Sequence, residues 1–123
     1  MSKQESHFVV QEHTTADGVH WDLMLEAGGV LQTWRLDRRP EELLRAGASA
    51  ERIFDHPLKF LTYEGPVQDG KGTVRIIDKG VCETLSRQGN PAEFLFAGAV
   101  LKGCFTMTPV KGRNGGWELC RSQ

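Results

Sequence analysis

The stretch FVVQEHTTADGVHWDLMLEAGGVLQTWRL, residues 8–36, decides the fold. FVVQEH at 8–13 reads as a strand, and the Asp17-Gly18 pair that follows is a favourable hairpin turn. HWDLMLE at 20–26 forms a second strand, Gly28-Gly29 a second turn, and VLQTWRL at 30–36 a third strand. The three make an antiparallel meander. Because alternate side chains of a strand share a face, His20, Asp22 and Met24 point one way and Trp21, Leu23 and Leu25 the other. The tryptophans at 21 and 34 lie in strongly strand-like sequence, and burial is expected for both.

Downstream, the segment 40–47 predicts one short peripheral helix. Pro40 suits a first turn, Glu41 and Glu42 suit the positive end of the helix dipole, and Gly47 is a natural stop. Beyond it PLKFLTYEG, GTVRIIDKG, AEFLFAGAVLKG, CFTMTPV and GWELC read as further strands, separated by QDGK, RQGNP and KGRNGG. So many strands in one short chain would leave costly edges unless the sheet closes on itself. The expected fold is therefore all-β, mainly antiparallel, a closed or nearly closed β-barrel.

With 123 residues, the chain suits one domain over 1–123, with its core at about 8–121. A content of 39% hydrophobic and 25% charged residues is that of a globular protein. No apolar run approaches the roughly 20 residues of a membrane-spanning helix, and MSKQESH lacks the features of a signal peptide, so a cytoplasmic protein is expected. Cys82, Cys104 and Cys120 contain no CxxC pair and are expected to be buried thiols. A net charge of −1 argues against broad electrostatic adhesion to nucleic acid, leaving only local contacts.

The strand rise sets the Cα atoms of His20 and Asp22 about 7 Å apart on one face. If the Asp17-Gly18 hairpin forms, His13 lies across from them. Two imidazoles and a carboxylate then make a three-ligand site for manganese, zinc or iron(II), with positions left for water or substrate. Strand histidines are also commonly plain hydrogen-bonded residues, so spacing alone leaves both readings open. In DHPLKF at 55–60, Pro57 holds His56 extended. That histidine could bind phosphate or protonate a leaving oxygen, or it could simply be capped by Asp55. Arginines 35, 38, 39, 45 and 52 are diluted by Asp37, Glu41, Glu42 and Glu51, which favours a solvated surface for most of them. Arg35, inside the strand TWRL, is the one whose guanidinium could reach a phosphate.

Taken in order, FVVQEH, HWDLMLE, GVLQTWRL, DHPLKFLTYEG, GTVRIIDKG and LKGCFTM resemble the 3′-phosphoesterase domain of bacterial DNA ligase D and its short stand-alone relatives, over roughly residues 8–121. The resemblance implies a compact β-barrel that uses manganese or a similar divalent ion, such as zinc, to remove 3′-terminal ribonucleosides and 3′-phosphates during DNA repair. It implies DNA or RNA–DNA 3′ ends as substrate and a separate ligase or polymerase as partner. It sets His13, His20 and Asp22 at the family's metal ligands and His56 at its phosphate-contacting histidine. This chain departs from the family's pattern in several places. The interval from His13 to His20 is longer by a residue, Met24 stands where the family carries a phosphate-contacting arginine, and Phe60 stands at a frequent tyrosine. The glycine-rich segment after Glu64-Gly65 is shortened.

Losing that arginine would cost about 2–4 kcal/mol of transition-state stabilisation, which Arg35 or Arg52 would have to supply. Two rival expectations follow. One is a catalytically weak relative acting as a nucleic-acid-end or protein-binding module, and the other is a non-haem iron oxygenase built on His20, Asp22 and a distal His56.

Overall fold

The structure is a computed structural model that describes residues 4–86, 92–112 and 115–122. The turn expected at RQGNP, and Arg113 and Asn114 of KGRNGG, lie outside the described residues. The meander forms as β1 (Gln4–Thr15), β2 (Gly18–Ala27) and β3 (Val30–Leu36). There follow β4 (Ala48–His56), the short β5 (Gly65–Val67), the long β6 (Gly72–Ser86), β7 (Ala92–Gly98), β8 (Lys102–Pro109) and β9 (Gly116–Arg121). The order β1-β2-β3-β4-β9-β8-β7-β6 returns to β1 through a β1–β6 pairing, closing an eight-stranded antiparallel barrel. β5 pairs only with the start of β6, alongside Gly72–Val74. Among the described residues, closure gives each wall strand a paired neighbour on both sides.

The barrel interior takes one face of each strand. Phe8 and Val10 of β1, Leu23 and Leu25 of β2 and Trp34 and Leu36 of β3 meet Phe94, Phe96, Phe105, Met107 and Leu119 from the opposite wall, all buried. The aromatic rings meet edge-on, with Phe96 centred 4.9 Å from Phe8 and 5.6 Å from Phe105. Trp34 is 6% exposed, as expected. Trp21 is only partly buried, and its indole N–H donates to Glu12 at 3.2 Å.

The outer face of the meander is also covered. Val9, Met24 and Leu31 are buried there beneath Phe60, Leu61 and Ile76. The covering segment is pinned by Gln11, whose amide N–H donates to the carbonyls of Phe60 and Tyr63, both at 3.0 Å.

The structure corrects four expectations. The helix expected at 40–47 is a 3-10 turn, Pro40–Leu44, anchored by buried Pro40 and Leu43 and too short to become an α-helix. PLKFL is not a strand but a second 3-10 turn, Leu58–Leu61, because it turns back over the barrel's outer face. AEFLFAGAVLKG divides at residues 98–102, where buried Asp78 accepts the backbone N–H groups of Ala99, Val100 and Leu101 and so holds the turn. Of the cysteines, only Cys82 is fully buried. Burial pushes its thiol up to about 12, leaving it unreactive. Among the described residues, no helix is long and apolar enough to cross a membrane.

Candidate metal centre

The strand register gathers the candidate residues. His13 pairs directly with His20 across β1 and β2, Gln11 with Asp22, and Asp22 in turn with Arg35 on β3. All five side chains belong to the face opposite the barrel core, so the site is built on the outer wall beside the 57–64 segment. His13 and Asp22 are buried and His20 is partly exposed, so the cluster is open to solvent at His20.

The ligand atoms of His13, His20 and Asp22 all lie within 4.8 Å of one another. His13 Nδ1 is 3.0 Å from His20 Nε2, and the Asp22 carboxylate oxygens lie 3.8 Å from the first and 3.5 Å from the second. Donors bound to one ion at roughly 2.0–2.2 Å sit about 3.0–3.5 Å apart, so this triangle needs little contraction to hold one. A second observation agrees. Asp22 Oδ1 is buried without a hydrogen-bond partner, the Arg35 Nε lying 3.8 Å away and out of hydrogen-bond reach, so its charge is left open to a closer cation. The residues present fit a divalent metal.

Burial holds His13 below the usual histidine range, helped by the neighbouring charges of His20, Arg35 and His56 and opposed by Asp22. Burial thus favours the neutral imidazole, the form that can ligate a metal. The ring occupies space that Gly72 leaves open, where a Cβ would come within 2.7 Å of His13 Nε2. Gly72→Ala is expected to push the imidazole out of place and weaken manganese binding about ten- to a hundredfold without unfolding the barrel. Calorimetric titration of both proteins checks this, and an unchanged affinity would mean the ring has room to shift.

Arg35 lies beside the cluster, its Nε 3.8 Å from Asp22 Oδ1 and its side chain 41% exposed. Arg52, the other candidate for a phosphate-directed charge, is already engaged. It pairs with Asp55 at 2.8 Å, lies 5.1 Å from the Trp34 ring centroid and donates to the Ile53 carbonyl.

His56 reaches the same face through a β-bulge. Thr33 pairs with Ile53, yet Leu31 pairs with His56, so β4 carries an extra residue over this interval. Regular alternation would have put Asp55 opposite Leu31 and turned His56 away. The bulge re-aims it outward. Its Nδ1 then lies 2.9 Å from Thr33 Oγ1 and 3.1 Å from the Phe54 carbonyl. Thr33 Oγ1 donates to the Leu31 carbonyl at 3.0 Å, which leaves His56 Nδ1–H as a donor and Nε2 as the free ring nitrogen. His56 is not one of the clustered donors. The oxygenase arrangement that requires it as a ligand is not formed among the described residues.

Sequence reasoning missed four contributors: Gln11, Thr33, Gly72 and Phe54. A glutamine closing the apolar run FVV was a visible signal for the first. The roles of the others depend on pairing and on the bulge, which leave no local pattern.

An eight-stranded barrel carrying two histidines and an aspartate on its outer wall defines a candidate metal-binding class. The sequence narrows it, since residues 11–109 match the model of the DNA ligase D 3′-phosphoesterase domain, and the chain belongs to that family. It is similar to the multifunctional non-homologous end joining DNA repair protein LigD of Mycobacterium tuberculosis, 34% identical over 87 residues, covering 68% of this chain and 11% of that protein. It is also similar to the LigD protein of Pseudomonas aeruginosa, 28% identical over 126 aligned positions, covering 94% of this chain and 15% of that protein. The chain thus spans a small fraction of the length of these relatives.

Proposed function

We propose that the chain, as one domain over 1–123, is a metal-dependent phosphoesterase that removes 3′-phosphates and 3′-ribonucleotides from DNA or RNA–DNA strand ends during repair in the cytoplasm. The observation that carries this reading is the convergence of His13, His20 and Asp22, in a chain of this family, on a volume one ion would fill. These residues would hold a divalent ion, manganese first and zinc as the alternative. Such an ion polarises a phosphoryl oxygen and offsets developing charge.

The remaining work falls to the chain. Asp22 and the two imidazoles fix the binding point. Arg35, at the rim, supplies a guanidinium for the phosphate. His56, when its ring is protonated, donates Nε2–H to the phosphate or leaving oxygen, its ring oriented by Thr33 and the Phe54 carbonyl. With a net charge of −1, the protein holds its strand end by local contacts, and a separate ligase or polymerase would take over the processed end.

The test is phosphate release from a 3′-phosphorylated primer, and ribonucleoside release from a primer with a 3′-terminal ribonucleotide, in manganese, zinc or chelator. Metal-stimulated release supports the reading, and its absence under all metals rejects it. A second reading, a catalytically weak end-binding module, is favoured by one observation. Met24 lies in the register row between Asp22–Arg35 and Leu31–His56, so that row offers the phosphate no cation on β2.

A further inference from the structure

We propose that Phe54, backed by His56, is a stacking platform for a nucleobase within the last two nucleotides of the strand end. This rests on the strand-end reading above. Phe54 is 75% exposed, well beyond the next large apolar side chain among the described residues, Val19 at 47%. It belongs to neither buried cluster, so the fold does not account for it. Its ring nonetheless has a defined orientation. It lies nearly parallel to the His56 imidazole, with centroids 4.8 Å apart and planes 15° apart. His56 in turn meets the edge of Phe60 at 5.6 Å, and Phe60 meets Tyr63 at 5.6 Å. The open ring is thus the outer member of an ordered aromatic series rooted in the covering segment.

The bulge in β4 makes this arrangement. The extra residue opposite Leu31 and Thr33 brings His56 to the outer face and stacks Phe54 on it. The same imidazole that would face the phosphate therefore has its flat side against an exposed ring. A phosphate at the metal centre places the bases of its own strand nearby, and an aromatic face accepts any base by stacking. A single exposed ring is far too small for a stable protein interface, which takes about 1,000 Å² or more. It matches one base. A chain with no net positive charge also has the greater need of such a non-ionic hold on its substrate.

The test compares two 3′-phosphorylated single strands, one with normal bases throughout and one with its last two residues abasic. Binding is measured by fluorescence anisotropy in manganese, with a non-hydrolysable 3′-phosphonate in place of each 3′-phosphate, so that the anchor at the metal centre is kept and turnover is off. Phe54→Ala is expected to weaken binding of the base-bearing strand about tenfold or more and to leave the abasic strand unchanged. Phe54→Trp should retain the wild-type preference for the base-bearing strand. Melting curves of both variants should match wild type, since the ring is outside the core. Equal effects of Phe54→Ala on the two strands, no effect on either, or a wild type that binds both alike would overturn the proposal. Phosphate release from the abasic strand by wild type in manganese reads the phosphoesterase function separately, so a failure there is distinguishable from a failure of stacking.

Discussion

Met24→Arg is expected to destabilise the barrel by about 3–5 kcal/mol, the usual cost of an unpaired buried charge, and to lower its melting temperature by on the order of 10–20 °C. The side chain is 1% exposed and packed with Val9 and Leu31 under Phe60 and Leu61. Its register neighbours are Val9 and Thr33, neither of which can pair with a guanidinium charge. Burying a methionine stabilises by about 1.5–3 kcal/mol, so the substitution removes that contribution as well as adding the charge. Met24 and Phe60 are packed together, so Phe60 closes over the volume an arginine at 24 would need. Opening the lid with Phe60→Ala in the Met24→Arg background should recover part of the loss by letting the guanidinium reach solvent. Thermal melts of the single and double variants check both statements. An unshifted melt for Met24→Arg would show that the arginine escapes towards Asp22, and phosphate release faster than wild type in that case would show that a cation at this position aids catalysis.

The register behind this prediction was largely legible in residues 8–36. There Asp17-Gly18 and Gly28-Gly29 mark the turns, and alternation sets His20 and Asp22 apart from Trp21 and Leu23. What was not legible has physical reasons. β4 escaped notice because its buried positions are Ala48 and Ala50, small residues packed close against β9, and these carry no hydrophobic signal. The segment after Pro57 looked like a strand because Leu58, Phe60 and Leu61 are apolar. In fact Phe60 and Leu61 cover the outside of the barrel wall rather than joining it. The pairing of β1 with β6, which closes the barrel, joins residues some seventy positions apart, and no local pattern encodes it.

The candidate site divides the same way. His13, His20 and Asp22 could be placed together from one hairpin, because strand parity is a local property. His56 could be placed only by resemblance, since simple alternation along β4 would have turned it to the wrong face. The inserted residue at the bulge is a tertiary feature, set by how β4 fits β3 between Leu31 and Thr33. Phe54 follows the same rule, since its stacking on His56 depends on the bulge and not on a local pattern.

Arg35→Ala is expected to reduce manganese-dependent phosphate release about a hundred- to a thousandfold while leaving metal affinity unchanged or slightly higher. The sign of the second effect follows from the 3.8 Å approach of Arg35 Nε to Asp22 Oδ1. A guanidinium there competes with any ion for the carboxylate's charge, so removing it cannot weaken metal binding electrostatically. His20→Ala removes a donor only 3.0 Å from His13 Nδ1, and should abolish both metal binding and release. The two variants thus separate holding the ion from receiving the phosphate. Arg35→Lys sharpens the separation, because lysine keeps the charge but not the planar fork that grips two phosphate oxygens, and it should recover only part of the rate. Metal titration and phosphate release, measured on each variant with a 3′-phosphorylated primer, check all three. Full activity in Arg35→Ala would leave the phosphate without a protein cation on the Asp22 side, and activity surviving His20→Ala would reject the metal centre as the origin of catalysis.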